Sequence, residues 1–370
     1  MRPTYLEIDT QLIRENLRKI KDALPEWSTS TAVIKANGYG HGSVIMGRIA
    51  VEEGYESLAV AIPEEAQPLR NAGIMVPIYL LGLTRPQSFE LIADTNTIPA
   101  VDDSTDFDGL NECAKRHGMT IPVCIAVDTG MHRIGIQPKD ACAFIEEIEA
   151  YSNLKVDGFF SHMANADAAD QSHAHDQAAS FGAMVEAVKA FRPNQDYRFS
   201  FANSAGLLAI KDSLYTDARP GIIQYGIMPS MDVPNRLGLK PVLSLHSEVV
   251  HVQHLEKGQG IGYGSTYVTT GPTTVATIPM GYADGYPRSL SNRGAVLIKG
   301  VRCPVVGRVC MDQFMVMVPQ GVEVAVGDPV VLLGQQGHES ITALEIAALA
   351  NTIPYEIFCG FSERVPRVYK

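Results

Sequence analysis

The sequence predicts an α/β protein: an N-terminal (β/α)8 TIM barrel over residues 1–232, then a C-terminal mainly-β domain over residues 233–370. Three observations carry that expectation. A chain of 370 residues exceeds what one hydrophobic core usually organises, so two domains are expected. Short apolar runs alternate with amphipathic stretches through roughly the first 230 residues. Beyond "GIMPSMDVPNRLGLKP" the texture changes to apolar runs set off by Gly, Pro and Asn turns.

The alternating runs are eight: "TAVIKA", "SLAVAI", "PIYLLG", "TIPAV", "PVCIAVDTG", "VDGFFSH", "YRFSFANS" and "LYTDARPG". Separated by helical patterns such as "VIMGRIAVEEG" and "AFIEEIEAY", they read as βαβ units of a parallel sheet. Eight such units match a closed barrel better than a doubly wound sheet. In the second domain "SLHSEVVHVQHL", "TTVATIPMGYADG", "GAVLIKG", "RCPVVGRVCMDQFMVMV" and "DPVVLLG" read as strands, with a helix at "ITALEIAALAN". The first few residues are open to pairing with that domain.

Composition narrows the function. With 46% hydrophobic and 19% charged residues the chain is an ordinary globular one. A net charge of -11 argues against a nucleic-acid or anionic-membrane surface and for a small-molecule partner. No run of about 18 apolar residues and no signal-peptide pattern is present, so a cytoplasmic protein is expected. The six cysteines include no CxxC pair, so neither disulfides nor a metal site is expected. His173 and His175 in "QSHAHD" read as a loop or helix start rather than as metal ligands.

In (β/α)8 barrels, reactive groups gather at the C-terminal ends of the strands. Lys35 closes the first run, Asp128 and Arg133 follow the fifth, His162 the sixth, Asn203 and Ser204 the seventh, and Arg219 and Gly221 the eighth. Taken singly, each reads more readily as a solvated lysine, a core histidine or a helix cap. The loops "ANSAG" and "RPGI" add small residues, a hydroxyl and backbone N–H groups where barrels commonly hold phosphate. A lysine facing such a place suits an aldehyde cofactor that carries a phosphate. Pyridoxal phosphate is one, condensing with a lysine amine to a Schiff base.

The motifs "AVIKANGYGHG", "VDTGMHRIGI", "FSHMANAD", "FANSAG", "ARPGIIQYG", "GIGYGSTY", "IPMGYADGYPR", "RVCMDQ" and "NTIPYEIFCGFSERVPRVY" follow one another in this order. On them the chain resembles, over essentially its whole length, the alanine racemase family of pyridoxal-phosphate barrel enzymes. The resemblance implies that Lys35 carries the cofactor and, once freed, acts as base on one face of the substrate Cα. It implies that Tyr263 serves the other face from the partner subunit, so that a homodimer shares its sites. One fixed base would return the proton where it found it, whereas two opposed groups give inversion. Tyrosine is a poor base at neutral pH unless neighbours favour its ionised form, and His162 and Arg219 are the neighbours implied.

Arg219 would also face the pyridine nitrogen, donating to it without surrendering a proton, so the ring stays a weak electron sink. Tyr39, His162, Asn203, Ser204, Gly221, Ile222 and Tyr355 would serve the cofactor, most of them at its phosphate. Arg133, the Met311 N–H and Asp312 would serve the substrate, while Tyr282 and Tyr355 would narrow the entrance to small amino acids.

One position departs from the family pattern. Many members carry a carbamylated lysine two residues before the aspartate of "DTGM", and Ala126 stands there instead. A buried Arg133 would need another counter-ion, so a bound anion such as chloride, or a nearby polar side chain, is expected beside Ala126. Serine remains open as a second substrate, because an apolar pocket rejects one added hydroxyl only weakly. A non-catalytic single-barrel pyridoxal-phosphate protein would lack the β domain with Tyr263 and Met311. A decarboxylase of the same architecture would place an acid where Arg219 stands. D-alanine for peptidoglycan is the use the family implies.

Overall fold

The computed structural model describes residues 2–210 and 213–370. It divides into two compact units: Met1–Leu12, Tyr39–His41 and Lys240–Lys370 form one, Ile13–Gly38 and Gly42–Leu239 the other. Strand β1 (Tyr5–Ile8) lies in the former.

The latter unit holds a closed barrel of β2 (Thr29–Val33), β3 (Ser57–Val60), β4 (Ile78–Leu83), β5 (Ile98–Val101), β6 (Ile121–Ala126), β7 (Leu154–Phe160), β8 (Arg198–Ser200) and β9 (Asp217–Ala218). Each strand is parallel to its neighbours, and β2 closes onto β9 with Thr29 opposite Asp217. All eight apolar runs supply one strand each, in the expected order. β3 and β5 are buried at every position, as parallel strands covered on both faces must be. Outside them, helices turn one apolar stripe inward. In Ser172–Phe191 that stripe is Ala174, Ala178, Phe181, Val185 and Val188, and in Phe107–Arg116 it is Phe107, Leu110, Cys113 and Ala114. β9 is short because Pro220 has no N–H to extend its ladder.

A polar network crosses the barrel. The Arg198 guanidinium on β8 pairs with Asp217 on β9 and donates to Thr31 on β2 and to Ser57 on β3, 2.8 Å away. β8 and β3 are not neighbours around the ring, so this reach runs through the interior. Thr31 donates to the same Asp217 carboxylate at 2.9 Å, and the Tyr79 ring lies 4.8 Å below the guanidinium. Nearly every charge and hydroxyl there has a partner, the condition under which a buried ion pair is tolerated.

The other unit is mainly β. Its strands are β1, β10 (Leu243–Glu248), β11 (His251–Leu255), β12 (Gly260–Ile261), β13 (Tyr267–Val268), β14 (Thr273–Ile278), β15 (Ala295–Ile298), β16 (Val301–Val306), β17 (Phe314–Val318), β18 (Pro329–Gln336), β19 (Glu339–Ile341) and β20 (Arg367–Tyr369). The main sheet runs β11-β14-β17-β16-β15-β18-β10-β1-β20, so the N-terminal strand sits between β10 and β20. Stacked Tyr286 and Phe314 rings, 4.5 Å apart, fill part of its core. The expected helix is Ala343–Ala350, capped by Thr342. A second, Pro354–Gly360, follows. Gly40, at φ +79°, packs so closely that an added Cβ would lie 2.3 Å from the Phe358 carbonyl oxygen. Among the described residues no helix is long and apolar enough to cross a membrane.

Candidate active site

Lys35 leaves β2 two residues after Val33 and opens a turn in which Ala36, Asn37, Gly38 and Tyr39 all have φ between +52° and +61°. A run of left-handed residues costs about 1–2 kcal/mol for each that is not glycine, so it persists only where other bonds impose it. Here the Ala36 N–H donates to Glu65 at 2.5 Å, the Gly38 N–H to the Ile34 carbonyl at 2.8 Å, and Asn37 Oδ1 accepts from the Ser43 N–H at 2.9 Å. The lysine therefore stands on a fixed corner, half-buried.

His162 and Arg219 follow β7 and β9. Arg219, only 4% exposed, donates through one terminal nitrogen to Ser200 Oγ at 2.6 Å and through the other to the Ser161 carbonyl at 2.5 Å. Burial pushes its guanidinium down to about 10, with Asp217 opposing the fall, so it remains charged at neutral pH. Burial also pushes the His162 imidazole down to about 3, and the charges of Arg219, Arg133 and Lys35 act in the same direction. Those charges stand after the ends of β9, β6 and β2, and with burial they leave His162 neutral. Asn203 Nδ2 lies 3.5 Å from His162 Nε2 and donates to the Met163 carbonyl at 3.2 Å, while its Oδ1 caps the helix Ser204–Ala209 through the Gly206 N–H at 2.9 Å.

Ser204 Oγ accepts from the Gly221 N–H at 2.8 Å, joining the loop after β8 to that after β9. Ser204 opens its helix and Ile222 opens the short turn Ile222–Tyr225, so both N–H groups lie outside the internal bonding of those turns. Together they make a compact set of donors without a charged side chain of their own.

The expected burial of Arg133 does not hold: its side chain is exposed, and among the described residues it forms no ion pair within 4 Å. An exposed guanidinium keeps its hydration and does not demand a counter-ion. Beside Ala126 lies a cavity of about 20 Å³ bordered by Val127, Met131, Ile134 and Phe160 as well as by Asp128, Arg133, Ser161 and His162, so its lining mixes apolar and polar groups. Burial pushes the Asp128 carboxyl up, but bonds from the His132 and Gly130 N–H groups and the His132 ring outweigh it and hold the group below its ordinary value. Asp128 thus lines the space beside Ala126, but its carboxylate is taken up by His132 and Gly130 and forms no ion pair with Arg133.

In the β unit the predicted side chains are exposed. Tyr263 is 72% exposed on a turn held by positive φ at Gly262 and Gly264, Met311 is 52% and Tyr282 43% exposed. The Tyr282 and Ala283 N–H groups donate to the Cys310 and Met311 carbonyls at 3.1 and 3.0 Å, keeping those two segments together. Asp312 pairs with Arg364 at 2.7 Å. Tyr39 and Tyr355 stand with ring centroids 5.9 Å apart.

Three contributors escaped the sequence reading. Ser200 links Arg219 to Asp217, which also accepts from Ser200 Oγ, and Gln177, fully buried, ties the loops after β6 and β7 together. Gln177 donates to the His162 carbonyl at 3.0 Å and to Thr129 Oγ at 3.3 Å, and accepts from the Ala164 N–H at 2.9 Å. Only Asp217 carried a signal: an acid two residues before Arg219 in an otherwise apolar strand shares its side of the sheet.

Fold and site together define a barrel-plus-β enzyme with a lysine after the first barrel strand and a buried, charged arginine after the eighth. Residues 8–229 match the family model for the alanine racemase N-terminal domain, and residues 242–369 match that for the C-terminal domain. An alanine racemase of Halothermothrix orenii is 43% identical over 369 residues, spanning 100% of this chain and 97% of the relative. Among solved structures, alanine racemase of Clostridium difficile 630 superposes with a TM-score of 0.94 at 38% identity, covering 100% of this chain and 96% of that one. The same enzyme has been solved in complex with cycloserine, with a TM-score of 0.92, 36% identity and 100% and 96% coverage. Alanine racemase from Bartonella henselae, with covalently bound pyridoxal phosphate, matches at a TM-score of 0.88 and 29% identity with 100% of both chains covered. The chain belongs to the alanine racemase family, isomerases that interconvert L- and D-alanine.

Proposed function

We propose that this chain racemises alanine with pyridoxal phosphate held by Lys35, using Lys35 and the Tyr263 of a second copy of the chain as opposed acid–base groups. The observation that carries the reading is a lysine fixed at the end of the first barrel strand together with a buried Arg219 held by Ser200 and Ser161 after the last, and the Ser204–Gly221 donor set beside it. The donor set fits the cofactor: an amine for its aldehyde, the Ser204 hydroxyl and the turn-opening N–H groups of Ser204 and Ile222 for its phosphate, a buried guanidinium for its ring nitrogen. Bound there, pyridoxal phosphate would supply the electron sink that makes the substrate Cα–H acidic.

The residues' parts follow from their chemistry. Lys35 would take a proton from one face of Cα while Tyr263 gives one to the other, or the reverse. Arg219, fixed by Ser200 and Ser161, would donate to the ring nitrogen and keep it unprotonated. His162, being neutral, would serve Tyr263 as a hydrogen-bond partner, leaving Arg219 and Arg133 to favour the phenolate by charge. Tyr39, Tyr355, Gly221 and Asn203 would complete the cofactor's setting. Arg133, Asp312 and the Met311 N–H would hold the substrate carboxylate, and Tyr282 with Tyr355 would admit only small side chains. A homodimer, a cytoplasmic location and D-alanine supply to peptidoglycan complete the proposal.

Borohydride treatment of the purified protein is the direct test. A near-visible absorbance band should bleach and the label should be recovered on the peptide containing Lys35. A protein without such a band, or a label on another lysine, would overturn the reading.

A further inference from the structure

Two neighbouring helices on the outside of the barrel, Phe89–Thr95 and Phe107–Arg116, each carry a pair of polar side chains four residues apart. Glu90 and Asp94 lie on the one, Cys113 and His117 at the end of the other, and four-residue spacing puts each pair on a single helix face. The two faces meet. Cys113 Sγ lies 3.6 Å from Glu90 Oε1, and His117 Nε2 lies 2.8 Å from Glu90 Oε2. The ligand atoms of Glu90, Cys113 and His117 all fall within 4.8 Å of one another.

We propose that Glu90, Cys113 and His117 form a binding site for a thiophilic divalent cation, zinc in the first place, built on two neighbouring helices of the barrel unit. A tetrahedral zinc with bonds of about 2.0–2.3 Å keeps its donors roughly 3.3–3.8 Å apart, so small side-chain rotations close the set. One thiolate, one imidazole and one carboxylate match zinc's preference and leave a fourth position for water, whereas magnesium and calcium would want oxygen alone. Two further contacts support the site. His117 Nδ1 is 4.0 Å from Asp94, longer than a hydrogen bond but close enough for a side-chain rotation to bring the carboxylate behind a ring that ligates through Nε2, as the outer partner that orients metal-bound imidazoles. Arg116 engages Oε1 of Glu90, leaving Oε2 for the metal, and a carboxylate bound through one oxygen can keep its guanidinium on the other. Binding would release the Cys113 thiol proton to solvent, with no change of oxidation state. The metal would clamp one helix to the other.

Without a metal the same groups make a hydrogen-bonded ion cluster, and cobalt(II) separates the two cases because only a bound thiolate gives a charge-transfer band. In difference spectra of the holoenzyme, one cobalt(II) per chain should produce that band and zinc should abolish it. Cys113→Ser and His117→Ala should both lose it, and Asp94→Asn should weaken zinc binding about tenfold or more. Cys113 is buried, so His117→Ala, on the more open side and with racemisation as its check on folding, keeps the test decisive. No band in the wild type, or a band that survives His117→Ala, would overturn the site. Unchanged zinc affinity in Asp94→Asn would overturn the part given to Asp94.

Discussion

The barrel unit and the β unit hold their candidate residues in opposite ways. In the barrel, Arg219 is 4% exposed and fixed by Ser200 and Ser161, and Asn203 and Ser204 are each committed to backbone N–H groups. In the β unit Tyr263, Met311 and Tyr282 are 72, 52 and 43% exposed. The barrel has already met the cost of ordering its side chains by folding. The β unit presents groups whose orientation must be set by whatever covers them. Mutations on the barrel side should therefore disturb stability and chemistry together, and those on the β side chemistry alone.

The largest effect is expected for Lys35→Ala, which removes the covalent anchor and one base at once. Its kcat should fall at least about 10⁴-fold with the near-visible band lost, and racemisation followed by circular dichroism would read it. Next comes Tyr263→Phe, with a loss of about 10²–10⁴-fold in kcat but continued α-proton exchange in D2O from one enantiomer. Wild-type racemisation by this variant would break the two-base assignment. The same variant should leave stability within about 0.5 kcal/mol of wild type in urea unfolding. Ser200→Ala supplies the contrast from the barrel side. It strands a buried guanidinium N–H and a carboxylate oxygen, costs about 1–3 kcal/mol and should lower the unfolding midpoint. Equal stability of Ser200→Ala and Tyr263→Phe would erase the comparison.

The last effect is nil at neutral pH and grows only in acid. The His162 pKa is about 3 in the folded chain against an ordinary 6.5, so between those values the unfolded chain binds the extra proton. Stability from this group is therefore full above about pH 6.5 and is lost as pH falls toward 3. His162→Asn should flatten that slope, and the imidazole NMR signal of the native protein should not shift between pH 8 and about 5. A midpoint near 6 would show a protonatable, solvated histidine instead.

Lys35, His162 and Arg219 were legible because a barrel sends whatever follows each strand to one end, so position along the chain stands in for position in space. The β strands were legible for a similar reason, since Gly, Pro and Asn punctuate them. Ser200 and Gln177 were not, because their importance depends on which strands and helices they reach. The burial of Arg133 was misjudged, since exposure of a long side chain depends on neighbours far along the sequence. Glu90, Cys113 and His117 were not legible because they are spread along the chain and come together only where two helices pack.

The left-handed corner after β2 limits how this protein can be remoulded. Four consecutive residues sit in a backbone region that most side chains avoid, and the glycine beyond them abuts a carbonyl. Directed evolution toward bulkier amino acids should find almost no accepted changes from residue 36 to residue 40, and should draw its gains from the exposed rim around Tyr282 and Met311.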